Sequence, residues 1–259
     1  MVKIFIASFN RASDGAISKL VEKMKKEDIY IDNYDKADYI LACGDRQETF
    51  DFVVDRFREG KKIIHLWAGD ISQGTLDEVY RHSITMMSCV QLCTNDHAKN
   101  RVKSLCKAID KQYFVITVGN VMLDNMEIDE SLVPDKNYDV ILYNPPTATD
   151  TLRNELSDIL SSINNNYIWI EPNGDPGSEE IMQYVNTKNL PREKFLGLLK
   201  NCDRFITNSS SQFYEAPFVM DKEDIVSIGL RNKDRESKYS DMTIDGASDR
   251  IIKVFKELL

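Results

Sequence analysis

An α/β fold built on parallel sheets is predicted by three features of this chain. Short runs rich in Ile, Val and Leu alternate with longer amphipathic stretches. The alternation occurs twice, before and after an acidic, irregular segment from Asp124 to Lys136. Glycines and polar residues gather immediately after the apolar runs, where the strands of a parallel sheet end and ligands collect.

In the first half the runs predict strands near 2–8, 38–43, 62–66, 89–93 and 113–117, with helices near 14–26, 47–59, 74–87 and 95–109 between them. The second half predicts strands near 138–143, 167–170, 203–206 and 224–228, and helices near 150–163, 178–186, 191–200 and 211–216. Two similar domains are the simplest account, residues 1–122 and 137–259, joined by a linker over 123–136. A last stretch, 246–258, is apolar at Ile251, Ile252, Val254, Phe255 and Leu258. It either caps the second domain or crosses back to the first.

With 259 residues, 42% of them hydrophobic, the chain is long enough for a large buried core. Its net charge of −9 argues against nucleic acid as the default ligand, because a polyanion would need a local basic patch to meet it. Lys23 to Lys26 and Lys61-Lys62 are too short for that and suit solvated helix ends. Five cysteines, odd in number and without His partners at metal-binding spacing, read as free thiols, and no metal is expected. The first residues read as a strand and no apolar run reaches membrane-spanning length, so a soluble protein of a reducing cytoplasm is expected, with no membrane partner. A homodimer is compatible with this composition.

The polar clusters after the strands come first in a search for chemistry. They are Ser8 to Arg11, Gly44-Asp45-Arg46 and Gly69 to Ser72 in the first half, then Asn144 to Thr147, Pro172 to Ser178, Asn208 to Ser211 and Gly229 to Arg231. The serine run leads into a predicted helix, so its hydroxyls, backbone N–H groups and the helix dipole can converge on a diphosphate. Glu215 follows one turn later, within reach of the ribose hydroxyls that accompany such a phosphate.

Five strings carry a resemblance. They are Gly44-Asp45-Arg46; Gly74 to Glu78 leading to Arg81-His82; Pro172 to Ser178; Asn208 to Ser211 with Glu215-Ala216-Pro217; and Ile228-Gly229 with Arg231 and Arg235. In order and spacing they resemble the UDP-N-acetylglucosamine 2-epimerases, and most of all their hydrolysing, sialic-acid-pathway branch. The resemblance implies a GT-B-like architecture, two Rossmann-like domains with a ligand cleft between them and a UDP-sugar as substrate. It implies that Ser209, Ser210 and Glu215 hold phosphate and ribose, with Asn173, Asp175, Asn208, Ser211, Arg231 and Arg235 around them and Arg11 approaching the diphosphate from the first domain. On the sugar side it implies Asp45, Arg46, Glu78, Arg81 and His82. Without the resemblance, Glu78 and Arg81 read as an ordinary ion pair on a helix surface.

The sequence also departs from that family. Where the family has a glutamate in His-x-Glu-Ala/Gly-Gly, this chain has Trp67 in His65-Leu66-Trp67-Ala68-Gly69; where it has a histidine before Pro-x-Thr, this chain has Asn144. Neither replacement exchanges protons near neutral pH. The stretch between the first strand and Gly44 is shorter than in the family, so the N-terminal domain is expected to be trimmed.

Three functions compete on this basis. Ranked first is a UDP-sugar-dependent glycosyltransferase, with Asp45 as base and Trp67 as a flat face for the sugar or an unidentified acceptor. The alternative is a hydrolysing UDP-N-acetylglucosamine 2-epimerase that gives N-acetylmannosamine and UDP, with Asp45 and Glu78 sharing the proton work. The third is an inactive nucleotide-sugar-binding module.

Overall fold

The computed structural model describes residues 2–9, 11–124, 126–163, 166–232, 235 and 246–259, with backbone only at Arg11 and Ala12. It divides into two compact units. The first takes in Met1–Ile71, Asp77–Asn125 and Ser237–Leu259, and the second Ser72–Leu76 and Met126–Glu236.

In the first unit β1 (Ile4–Ala7), β2 (Tyr39–Cys43), β3 (Lys62–Leu66), β4 (Val90–Cys93) and β5 (Phe114–Thr117) form one parallel sheet in strict chain order. Every residue of β2 is buried, which is why this strand reads as an unbroken apolar run rather than an alternating one. Alternate residues serve opposite faces. Tyr39, Leu41 and Cys43 pack with Ile17, Leu20 and Met24 of α1 (Arg11–Lys26), while Ile40 and Ala42 pack with Val53 of α2 (Gln47–Arg58) and Ile84 of α3 (Asp77–Met87). α4 (Asp96–Ala108) covers the same face as α3 through Ala98, Val102 and Cys106.

The strands advance in one direction, yet α1 crosses on one face and α2 and α3 on the other. After α1 the chain first reaches Tyr30, which pairs in parallel with Ile4 on the side of β1 away from β2, and only then returns to β2; helices on opposite faces thus accompany moves in opposite directions and the crossovers share one hand. The order therefore reverses at β1, and a switch point lies between β1 and β2.

The closing helix α9 (Ala247–Leu258) packs on α1 in the first unit, whereas the sequence division groups it with the second. Its apolar stripe, Ile251, Ile252, Val254 and Phe255, joins the core beneath β2 and β3. Asp124 fixes its start: the carboxylate accepts from Ala247 N–H at 3.1 Å and from Ser248 N–H at 2.5 Å. Arg250 Nε donates to Val118 O at 2.7 Å one turn later.

In the second unit β6 (Tyr138–Leu142), β7 (Asn166–Trp169), β8 (Arg204–Thr207) and β9 (Ile225–Ser227) form a parallel sheet in the order β7-β6-β8-β9. α5 (Leu152–Ser162) and α6 (Ser178–Met182) cover one face through Leu156, Ile159 and Ile181; α7 (Arg192–Asn201) covers the other through Leu198 and Leu199. The chain thus leaves β6 in one direction and returns to β8 on its other side, so a topological switch point lies between those two strands. The stretch taken as a linker is bound into this unit from Met126 onward. Asp129 N–H donates to Glu193 O at 2.9 Å, and Gly197 leaves no room there, since a Cβ on it would stand 2.1 Å from Asp129 O.

Several helices are shorter than the sequence predicts. α3 begins at Asp77 because Gly74 lies against the Leu230–Arg231 backbone, where an added Cβ would meet Leu230 O at 2.2 Å. α6 stops at Met182, and α8 (Ser211–Tyr214) gives way to a 3₁₀ turn over Ala216–Phe218, next to Pro217.

Replacing Asp124 by Ala leaves the Ala247 and Ser248 N–H groups without their acceptor inside the first unit. We expect a loss of about 1–2 kcal/mol in urea unfolding, the usual range for a lost helix cap. A change below about 0.5 kcal/mol would show that packing alone holds α9.

Candidate functional site

Parallel strands place the loops after β2 and β3 at one end of the first sheet, and α3 brings a third group to them. The centre is Arg81, only 2% exposed. Its Nη2 donates to Asp45 in the loop after β2, and its Nη1 to Glu78 Oε2 at 2.6 Å, one turn earlier on α3. The other oxygen of Glu78 pairs with His82 Nε2 at 3.0 Å. Burial pulls the guanidinium pKa down, but the fields of Asp45, Asp70 and Glu78 outweigh it and hold Arg81 above its ordinary value. The cation and its carboxylates therefore form one fixed ionic cluster.

His65, in β3 beneath this cluster, is fully buried with Nδ1 at 3.0 Å from Thr85 Oγ1. Burial, reinforced by the charge on Arg81, drops its pKa to about 3, so the ring is neutral and is not a proton donor near pH 7. Trp67 follows with a left-handed backbone, φ 66°, costly for a bulky side chain. Its indole is half-buried against the main core, so it forms part of the wall of this unit. Arg46 stands at the start of α2 with its Nε 3.5 Å from Glu48. The side chain of Arg11 lies outside the described residues.

In the second unit Asn144 follows β6 and Asn208 follows β8, on the two sides of the switch point. Asn208 completes Asn144 as a peptide would: Asn144 N–H donates to Asn208 Oδ1 and Asn208 Nδ2 donates to Asn144 O, both at 2.7 Å. Asn144 Oδ1 in turn accepts from Asn173 N–H at 2.8 Å. The bond fixes which side of the amide is oxygen, leaving Nδ2, a pure donor, for other partners. Asn173 Nδ2 binds Asp175 Oδ2 at 2.7 Å, and Arg231 ties the same carboxylate, at 3.0 Å, to Pro145 O. Asn232 Nδ2 donates to Asn208 O at 2.7 Å, and Arg235 Nη1 to Asn232 Oδ1 at 2.8 Å, with the Arg235 guanidinium 5.8 Å from the Tyr214 ring centre.

The serine run closes this cluster. Ser209 Oγ accepts from Ser211 N–H at 3.3 Å, whereas Ser211 Oγ is buried without a hydrogen-bond partner among the described residues. Such an orphan needs an explanation, and a ligand is one. α8 is only four residues long, so the expected helix-dipole contribution is replaced by individual N–H and hydroxyl donors. Glu215, at the end of α8, accepts from Arg192 Nε at 2.6 Å.

A family model described as UDP-N-acetylglucosamine 2-epimerase matches residues 4–259. The chain belongs to this family. Among curated members, the UDP-N,N′-diacetylbacillosamine 2-epimerase (hydrolyzing) of Legionella pneumophila is 27% identical over 247 residues, 86% of this chain and 64% of that protein. The UDP-N-acetylglucosamine 2-epimerase of Neisseria meningitidis serogroup B is 26% identical over 245 residues, 86% and 63% of the two chains. The chain thus spans less than two thirds of the length of these relatives. Its fold is similar to that of a UDP co-structure of MnaA from S. aureus, with a TM-score of 0.70 at 17% identity over 100% of this chain and 98% of that one. It is also similar to the Methanocaldococcus jannaschii UDP-GlcNAc 2-epimerase in complex with UDP-GlcNAc and UDP, with a TM-score of 0.69 at 13% identity over 98% and 99%.

Within this epimerase-family chain, the structure gathers Asp45, Glu78, Arg81 and His82 in the first unit and Asn144, Asn173, Asp175, Asn208, Ser209, Ser211, Arg231 and Arg235 in the second. Ser210 lies at the start of α8 without a side-chain capping bond. The expectation that Arg231 and Arg235 face the diphosphate changes in emphasis, since both guanidiniums are buried and hold protein groups. Two further residues join this end: Asp70, named in the sequence only as part of a polar cluster after β3 and buried beside Arg81, and Arg101 of α4, which donates to Gly69 O. Gly69-Asp70 was visible as a polar pair after β3, but nothing in the sequence marks Arg101.

Among the described residues no three His, Cys, Asp or Glu side chains converge as a metal site, and no helix is long and apolar enough to cross a membrane. All five cysteines are free, and burial pushes the thiols of Cys93 and Cys202 up to about 12.

His65 makes stability depend on pH. Its folded pKa of about 3 lies below the ordinary 6.5, so below pH 6.5 the unfolded chain takes up a proton that the native ring refuses. The contribution is complete above pH 6.5 and falls as pH drops toward 3, by up to about 1.4 kcal/mol per pH unit. His65→Gln should flatten this part of the curve in urea unfolding compared at pH 7 and pH 5; parallel curves for variant and wild type would contradict the assignment.

Proposed function

We propose that this chain is a hydrolysing UDP-N-acetylglucosamine 2-epimerase, with nucleotide-holding groups in the second unit and proton-transferring groups in the first. The observation that carries the reading is Arg81 holding Asp45 and Glu78 in one cluster. Inverting C2 of the sugar requires a proton to leave that carbon and another to arrive from the opposite face, which two fixed carboxylates can serve. Glycosyl transfer, ranked first on the sequence, needs only one base, and the named activities of the curated relatives favour epimerisation.

The atoms balance with water as the only co-reactant. A carboxylate takes the C2 proton as the C1–O bond to UDP breaks. Water then supplies hydroxyl to C1, and a proton returns to C2 from the other side, giving N-acetylmannosamine and UDP. Asn144 Nδ2, oriented by Asn173 N–H, donates to departing diphosphate oxygens, and unlike a histidine, whose second nitrogen switches between acceptor and donor, its donor set does not change with pH. Ser209, Ser210 and Ser211 add hydroxyl and N–H donors, and Glu215 binds the ribose. Trp67 packs against the main core of the first unit and takes no part in proton transfer.

Turnover of UDP-N-acetylglucosamine in D₂O, followed by NMR, tests this. We expect acceptor-free release of N-acetylmannosamine carrying deuterium at C2, slowed about 10²- to 10⁴-fold by Asp45→Asn with UDP binding kept. Consumption that requires an added acceptor, with hydrogen retained at C2, would restore the transferase reading.

A further inference from the structure

We propose that Arg192 is a positioning residue that prepares Glu215 to receive a ribose diol, and that it makes the second unit discriminate ribonucleotides from 2′-deoxyribonucleotides. The inference rests on the reading of that unit as the nucleotide site.

Arg192 is the first residue of α7, set directly after Pro191, and it reaches Glu215 at the end of α8. Its Nε donates to Glu215 Oε1 at 2.6 Å, with the side chains only 20% and 13% exposed. Such a pair is more than an exposed ion pair, because a guanidinium fixes the plane of a carboxylate as well as its charge. Only Oε1 is engaged: Oε2 accepts no hydrogen bond from a described side chain.

A carboxylate held in this way presents acceptors, one lone pair on Oε1 and two on Oε2. Two neighbouring hydroxyls, each a donor, satisfy it; a sugar that lacks one leaves a half-buried charge short of a partner. That shortfall is the larger part of the discrimination a polar site achieves. Without Arg192 the carboxylate loses both its fixed orientation and its compensating charge, so the second hydroxyl should matter less.

Calorimetric titration with UDP and 2′-deoxy-UDP separates the possibilities. The wild type should bind UDP about ten- to a hundredfold more tightly than the deoxy form. Arg192→Met should lower that ratio to near one, Arg192→Lys should restore part of it, and adding Glu215→Gln to Arg192→Met should change the ratio little further. A ratio unchanged in both Arg192→Met and Arg192→Lys, with UDP still bound, would overturn the proposal and leave the pair a structural tie. Failure of the wild type to bind UDP at all would overturn the nucleotide reading of this unit, and the proposal with it.

Discussion

A guanidinium that is 2% exposed keeps its charge and is costly to bury unless carboxylates pair with it, and this constraint organises the loops at one end of the first unit. Arg81 draws Asp45 from the loop after β2 and Glu78 from its own helix, with Asp70 from the loop after β3 adding to the field. Each loop is placed by its parallel strand, but the buried cation brings the carboxylates to one point. The same charge helps keep His65 neutral, so the nearby imidazole is a packing and hydrogen-bonding group. Trp67, two residues after His65, holds a left-handed backbone while its indole packs in the core on the α1 side of the sheet.

The second unit meets the same end by a different device. Its switch point is lined by asparagines that bond to one another's backbones, leaving few free orientations. Neutral amides cost less to bury than charges and keep one protonation state, so the donor set is constant across pH. Arg231 and Arg235 brace this layer from within, through Asp175, Pro145 O and Asn232. Among the described residues, the Ser211 hydroxyl, Asn144 Nδ2 and Glu215 Oε2 are polar groups that this network leaves unused.

Strand positions were legible in the sequence because buried parallel strands are compact apolar runs. The run at 38–43 became Tyr39–Cys43 and that at 62–66 became Lys62–Leu66. Helix ends were less legible where long-range contact decides them, as at Gly74, whose lack of a side chain matters only once Leu230 lies against it. Strand order could not be read, since the alternation of runs does not say on which side of a strand the next one pairs. The same holds for α9, whose amphipathic stripe fits either unit until Asp124 claims its first N–H groups. The strings Gly44-Asp45-Arg46 and Asn208 to Ser211 pointed to the candidate site, but its ties, Arg192 to Glu215 and Asp70 beside Arg81, join residues distant in sequence and of ordinary type.

The most direct measurement of the central claim is a double-mutant cycle in urea unfolding on Arg81→Met and Asp45→Asn. If one buried guanidinium fixes the carboxylates, removing it alone leaves Asp45 without its counter-charge, and the two substitutions should be non-additive by more than about 1 kcal/mol. Effects that add to within about 0.5 kcal/mol would contradict the account and show that Asp45 is held by something other than Arg81.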